Sequence, residues 1–264
     1  MTVRTTALSQ SLERGLAILS TFTSTRPLLG VSDLAREVGL SRSSAHRYIA
    51  TLAALGYLEQ DRATRRYRLG PRVLDLGFSA INSMELRQLA SADLQALSDS
   101  TGHTVNMAVL DGVDVLYIER CRSTNRSQRE IDLNLHVGSR LPAYCTSMGK
   151  VLLADLPSGE LEERLRQMEL AQRGPNTITS RSRLREELSR VRSEGMAVND
   201  EELAYGLRSI AVAVRSAEGN AVAAINLAAH RSLVSLECLV AGLGPPLLGT
   251  ARAISSRLGF ERGT

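Results

Sequence analysis

The stretch from Gly39 to Leu58, GLSRSSAHRYIATLAALGYL, constrains the fold more than any other. Ala45, Ile49, Leu52 and Ala53 recur at i, i+4, i+7 and i+8, one face of a helix. Ser43, His46, Arg47 and Ala50 recur at i, i+3, i+4 and i+7, a second face that is small, basic and rich in donors. A merely solvated face would more often carry Glu–Lys pairs. Just upstream, VSDLAREVG predicts a short helix. Ser32 is its expected N-cap, Asp33 suits its positive start, and Gly39 suits its end. Leu34, Ala35 and Val38 form its apolar face, and Ser41 is the expected N-cap of the next helix. Two short helices with a tight glycine-containing turn make a helix-turn-helix, whose second helix enters the DNA major groove.

The surroundings agree. SQSLERGLAILSTFTS (9–24) reads as a preceding helix, with Leu12, Leu16, Leu19 and Phe22 on its buried side. After the helix-turn-helix, Tyr57-Leu58 and Tyr67-Arg68-Leu69 read as short strands joined by the tip DRATR. That order is a winged helix. Residues 1–72 hold eleven arginines against five acidic residues, whereas the rest of the chain is slightly acidic. A basic segment joined to a near-neutral one points to polyanion binding at one end. Ser41, Arg42, Ser43, Ser44, His46 and Arg47 are the expected groove contacts, the serines permitting close approach. Arg62, Arg65 and Arg66 at the wing tip are expected to reach phosphates or an adjacent minor groove of double-stranded DNA. RNA recognition lacks its interleaved aromatics, since aromatic residues make up only 3% of the chain.

A chain of 264 residues accommodates two domains. The expected division is a DNA-binding domain over 1–70, a linker helix over 71–84 and a second domain over 85–264. PRVLDLGFSAINSMELRQLASADLQALSDSTG (71–102) is helical by pattern. Leu74, Phe78 and Ile81 form one apolar stripe, and Val73, Leu76 and Ala80 another, so the linker must be covered twice. A second subunit packed on it would do this, and a homodimer is expected. From residue 104 the period changes to two. TVNMAVL and VLYIERC flank a Gly-containing turn, and EIDLNLHVGSRLP offers another strand. Helices are expected over 146–156, 158–169 and 181–194, a second hairpin over 209–230 turning at Glu218-Gly219-Asn220, and a final helix over 232–258 that Pro245-Pro246 kinks or splits. The whole is an α+β chain with an antiparallel sheet in its second domain.

Catalytic and cofactor signatures are weak. The four histidines are isolated from one another and from the cysteines, so no zinc spacing exists and no metal or cofactor is expected. MGKV (148–151) is not a phosphate loop, because Tyr144 stands where its first glycine would be and Val151 replaces the magnesium-binding Ser or Thr. Cys145 reads as a small buried residue at a helix start. Three widely spaced cysteines, no apolar leader and no long apolar run fit a cytoplasmic chain with no membrane span. What remains is a binding pocket. The helix opening with CTSMG offers free N–H groups to an anion. Alternation puts Asn226 and Ala228 on one strand face, and Ser209 on the same side as Ala211 and Ala213, small residues that leave room for a ligand or pack tightly on their own. An enzyme acting on a small acid and an architectural DNA-binding protein are the rival classes. Turnover of the acid, or operator affinity indifferent to acids, would mark each.

SLERGLAIL, VSDLAREVGLSRSSAHRYIATLAALGYLEQD and YRLGPRVLDLG resemble, in order and spacing, the winged helix and linker of the IclR family of bacterial transcription regulators. VGSRLPAYCTSMGKVLLA and GLRSIAVAVR resemble its effector domain, so the likeness spans nearly the whole chain. RLPAYCTSMGK and NDEELAYGLRSIAV look most like the branch that controls protocatechuate, 4-hydroxybenzoate and β-ketoadipate catabolism. The resemblance implies a GAF-like effector domain, dimers or dimers of dimers, and palindromic operators. It also implies an effector pocket with backbone from Ser147 and Met148, side chains at Asn199, Ser209, Asn226 and Ala228, and walls from Leu133, Leu141 and Leu207. The family often has Asp, Cys and two Ser at the four side-chain positions, and this chain departs at all four. Neutral donors there, with Tyr144 and Arg120 nearby, suit an aromatic or dicarboxylic organic acid better than a glyoxylate-like one.

Overall fold

The computed structural model describes residues 8–261, apart from 24, 83 and 125–134, with side chains omitted at 78 and 80–82. The chain divides into two compact units, Met1–Ser83 and Met84–Thr264.

The first unit runs α1 (Gln10–Ser20), α2 (Val31–Glu37), α3 (Arg42–Ala54), β1 (Leu58–Gln60), β2 (Tyr67–Leu69) and α4 (Arg72–Asn82). β1 and β2 pair antiparallel, with Glu59 opposite Arg68. Ile18, Leu34, Ala45, Ile49, Leu58 and Tyr67 meet in one core. Ser41 caps α3, its hydroxyl accepting from Ser44 N–H at 3.2 Å. Gly39 takes φ +64°, a left-handed conformation that turns the chain from α2 into α3 without a Cβ penalty.

Two expectations fail here. Ser32 lies inside α2, and Gly30 is the N-cap. Asp33 Oδ2 reaches back to accept from Gly30 N–H at 3.2 Å, so the aspartate performs the capping from within the helix. On α1, Leu12 and Leu16 are 63% and 55% exposed, while Ile18 is wholly buried, Phe22 is buried just past the helix end, and Leu19 is half-buried. Ile18 sits two and six residues from those leucines, about 200° and 240° around the helix, so seating it against α3 turns both leucines outward.

The second unit runs α5 (Glu85–Thr101), β3 (Thr104–Asp111), β4 (Asp114–Cys121), β5 (Arg140–Pro142), a 3-10 turn (Ala143–Cys145), α6 (Ser147–Asp155), α7 (Ser158–Gln167), α8 (Arg181–Glu194), β6 (Met196–Asp200), β7 (Leu207–Arg215), β8 (Ala221–His230), a π-helical turn (Cys238–Leu243) and α9 (Gly244–Arg257). Six strands form one antiparallel sheet in the order β5-β4-β3-β8-β7-β6. α5 and α9 cover one face, with Leu94, Leu97, Leu247 and Ile254 packed on Val105, Met107, Ile225 and Leu227. α6 and α8 cover the other, with Met148, Leu152, Leu184 and Leu188 over Ala108, Ala197, Ala211 and Ala224. Alanines on that face let α6 lie close. Gly149 lies closer still: a Cβ there would stand 2.2 Å from Ala143 O.

Other boundaries also differ from the pattern. The helix expected over 71–102 is broken where Met84 adopts an extended backbone as N-cap of α5. The strand expected over 130–142 is, among the described residues, confined to Arg140–Pro142, because Gly138 at φ +94° and the Ser139 hydroxyl accepting from His136 N–H turn the chain before it. Pro245 and Pro246 occupy the first turn of α9, where their missing N–H groups break no helical bond. β6 is an edge strand that sequence analysis missed.

Candidate DNA interface and ligand site

α3 presents Arg42, Ser43, His46 and Arg47 to solvent and buries Ala45 and Ile49 behind them. Ser44 is half-buried, and the Ser41 hydroxyl is engaged by Ser43 and Ser44 at 3.1 and 3.0 Å. The capping serine therefore organises the start of α3 and also stands at its surface. The wing tip is ordered by Asp61, whose Oδ1 accepts from both Thr64 N–H and Thr64 Oγ1 at 2.7 Å. Those bonds hold the Asp61 carboxyl below the usual carboxylate range. Arg65 adopts φ +59°, a strained conformation for a side-chain-bearing residue, and Arg62, Arg65 and Arg66 all point into solvent. Charge pairing sorts the arginines. Arg26, Arg36 and Arg68 are held by Glu37, Asp33 and Glu59. Among the described residues Arg42, Arg47, Arg62, Arg65 and Arg66 form no ion pair, which leaves five exposed, unpaired cations on α3 and the wing.

In the second unit the strand register assembles the expected pocket residues. Asn199 pairs with Ser209, Ser209 with Ala228, and Ala228 with Thr104 across the sheet. The next row on the same face runs Arg120, Asn106, Asn226, Ala211. Ser147 at the start of α6 meets this face, its Oγ 2.8 Å from Ser209 Oγ. Asn199 is committed at both ends: Nδ2 donates to Cys145 O at 2.5 Å and Oδ1 accepts from Glu202 N–H at 3.2 Å. It braces the turn before α6. Arg120 Nη1 donates to Asn106 Oδ1 at 2.9 Å, and Asn106 Nδ2 donates to Asn226 Oδ1 at 2.8 Å. Met148 and Leu207 are buried and Leu141 half-buried. The Tyr144 hydroxyl donates to Ala171 O at 2.6 Å, and burial raises its pKa. Leu133 lies outside the described residues.

Two features escaped the sequence analysis. Asn106 is 1% exposed and joins Arg120 to Asn226. Its signal was a lone amide inside the apolar run TVNMAVL. The other is Lys150, the sole lysine, also 1% exposed. Its Nζ donates to Glu187 Oε1 at 2.9 Å, Val198 O at 2.6 Å and Glu202 Oε1 at 2.5 Å. Burial pushes the Glu202 carboxyl up despite Lys150. Burial also opposes ionisation of Glu187, but bonds from Arg190 and Lys150 hold its carboxyl below the usual range. The Cys145 thiol is pushed up to about 12, first by burial and then by the Glu202 charge, so it is no thiolate nucleophile at neutral pH. Among the described residues, no group of three or more His, Cys, Asp or Glu is placed to hold a metal, and no helix is long and apolar enough to cross a membrane.

A basic winged helix-turn-helix, followed by an antiparallel-sheet domain with buried polar rows beneath a helix start, defines a DNA-binding transcription regulator. Residues 11–62 match the IclR helix-turn-helix domain, and residues 78–256 match the bacterial transcriptional regulator IclR C-terminal domain. The chain belongs to the IclR family of bacterial transcriptional regulators. It is 37% identical to the Pca regulon regulatory protein of Pseudomonas putida, over 94% of this chain and 84% of that one. Among solved structures it resembles a Rhodococcus sp. RHA1 protein described as a transcriptional regulator, at 38% identity and TM-score 0.82, over 95% of this chain and 98% of that one. It also resembles an IclR homologue from Microbacterium hydrocarbonoxydans in complex with 4-hydroxybenzoate, at 28% identity and TM-score 0.78, over 94% and 99% of the two chains.

Proposed function

We propose that this regulator reads double-stranded operator DNA with the start of α3 and the wing, and answers to an aromatic or dicarboxylic acid bound between α6 and the sheet. The observation that carries the acid is the composition of the buried rows. They offer amides, hydroxyls and the Arg120 guanidinium. The buried carboxylates Glu119, Glu201 and Glu202 are each countered, by Arg87, Arg231 and Lys150. Such a face accepts an organic anion and rejects a cation. The Pseudomonas relative's name and the 4-hydroxybenzoate complex support the aromatic class. The protein acts in the cytoplasm, where bacterial DNA lies. Leu12, Leu16, Leu74 and Leu76 all stand exposed on the first unit, a surplus of apolar surface that pairing with a second copy would cover. Acid binding shifts operator affinity only through different affinities for two arrangements of the paired winged helices, with α4 as the connection.

The test is fluorescence anisotropy on labelled DNA from upstream of the regulator's own gene. It is run at two salt concentrations, with protocatechuate, 4-hydroxybenzoate or β-ketoadipate. Tight, salt-sensitive binding altered by one acid is expected. Tight binding indifferent to all of them overturns the effector assignment, and binding no stronger than to random DNA overturns the operator assignment. A variant with Ser209→Leu and Asn226→Leu together is expected to lose the acid response while keeping DNA affinity. Size-exclusion chromatography with light scattering is expected to give at least a dimer.

A further inference from the structure

Resting on the acid-binding reading above, we propose that Asn106 sets the hydrogen-bond polarity of the effector pocket, and so selects what the far end of the effector carries. The argument starts at Arg120. A guanidinium has donors and no acceptor. Its bond to Asn106 therefore fixes that amide with Oδ1 toward Arg120 and Nδ2 toward Asn226. Asn106 Nδ2 in turn needs an acceptor, which fixes Asn226 with Oδ1 toward Asn106. One donor-only group thus orients two amides in series, and Asn226 Nδ2 is left as a donor facing away from the chain. It has no hydrogen-bond partner among the described residues, and although Asn226 as a whole is nineteen-twentieths buried, this nitrogen keeps accessible surface that a ligand atom can reach. An amide donor held this way asks for an acceptor atom from a ligand.

The geometry says which end of the ligand meets it. Ser147 at the α6 start touches Ser209, and the helix start favours a carboxylate. Asn226 pairs with Ala211, two residues further along β7 from Ser209, so it lies diagonally across the strand pair, about 7–8 Å from Ser209. That separation matches a para-disubstituted benzene ring. With the carboxylate at α6, the para substituent reaches Asn226 Nδ2. A phenolic oxygen accepts from it, whereas an aniline nitrogen presents mainly N–H donors against another donor. Asn106 is therefore a specificity-determining residue that acts by positioning Asn226.

The experiment is calorimetric titration of the full-length protein with 4-hydroxybenzoate and with 4-aminobenzoate, read as a ratio of affinities. Wild type is expected to prefer the hydroxy acid by a factor of about ten, the value of one hydrogen bond. Asn106→Asp still accepts from Arg120 but has no donor, so Asn226 turns its Nδ2 toward the introduced carboxylate and shows its oxygen to the ligand. The ratio is expected to fall to parity or invert. Both probes carry the same carboxylate, so the added charge cancels in the ratio. Asn226→Asp presents an acceptor without disturbing Asn106 and is expected to repeat the change, which keeps the proposal testable if one variant misfolds. A wild-type preference that both variants retain overturns the polarity assignment and leaves acid binding standing. A wild type that binds neither acid overturns the acid-binding reading and this inference with it.

Discussion

Replacing Lys150 with methionine keeps the length of the stem and removes the charge. Three acceptors then lose a donor at once: Glu187 Oε1, Val198 O and Glu202 Oε1. Glu187 keeps Arg190 at 2.9 Å and is partly exposed, so its loss is small. Glu202 has no such reserve. It is buried, and its other oxygen, Oε2, already has no hydrogen-bond partner. Breaking a buried pair by removing one member costs about 3–5 kcal/mol. With a urea m-value of about 2 kcal/mol/M, the midpoint for the second unit falls by about 1.5–2.5 M, followed by far-UV circular dichroism. The effect depends on pH. The Glu202 carboxyl is already raised in the folded state, and losing Lys150 raises it further. The folded chain then retains a proton that the unfolded chain gives up near its ordinary pKa of about 4.3. Stability from such a group is full below the unfolded pKa and is lost as pH rises through the folded one. The deficit of Lys150→Met is therefore largest at pH 8 and shrinks toward pH 5, and adding Glu202→Gln recovers most of it at pH 8. A deficit under about 1 kcal/mol, or one constant from pH 5 to 8, refutes the reasoning.

Other expectations concern the DNA face and the thiols. Arg47→Ala weakens operator binding by about 1–3 kcal/mol at matched salt if Arg47 meets a base edge, and unchanged anisotropy titrations deny it that role. Removing Arg62 and Arg66 together lowers the slope of log affinity against log salt by about 0.9 for each phosphate left unneutralised. Arg65→Gly relieves the φ +59° strain, so thermal unfolding of the first unit shifts upward by about 1 kcal/mol while DNA affinity falls. Under native conditions at pH 7.5, iodoacetamide labels exposed Cys238 and spares Cys121 and Cys145. Burial raises those two thiols to about 11 and about 12, and mass spectrometry reads the pattern.

The helix-turn-helix was legible because its signals are local. Ser41 caps within one turn, Gly39 sets one φ, and the wing is a hairpin with its turn residues in place. The two long hairpins were legible for the same reason, and their alternation put the pocket side chains on one face. Sequence reasoning failed where a neighbour decides. Asp33 takes over the cap at Gly30 from inside α2, which left Ser32 as a false start. Leu12 and Leu16 fit a stripe, but Ile18 took the place against α3. β6 went unassigned because it is a short strand at the sheet edge whose inner face carries only Ala197 and Asn199, the latter a brace and not part of the apolar core. Asn106 and Lys150 are polar groups buried against partners 120 and 52 residues away in sequence, Asn226 and Glu202, and no window along one segment contains both members.

On the proposed mode of DNA binding, the uneven pairing of the arginines bears on how the protein would search a genome. Arg26, Arg36 and Arg68 each carry a carboxylate and attract a duplex weakly at long range. The field that would draw the first unit toward DNA then comes from the arginines that form no ion pair among the described residues: Arg42 and Arg47 on α3, Arg62, Arg65 and Arg66 on the wing, and Arg14 and Arg72 on α1 and α4. With five of those cations on α3 and the wing, a collision in the proposed mode of binding would favour turning that face toward the duplex. Sliding and hopping along non-operator DNA can then sample base edges with little reorientation at each step.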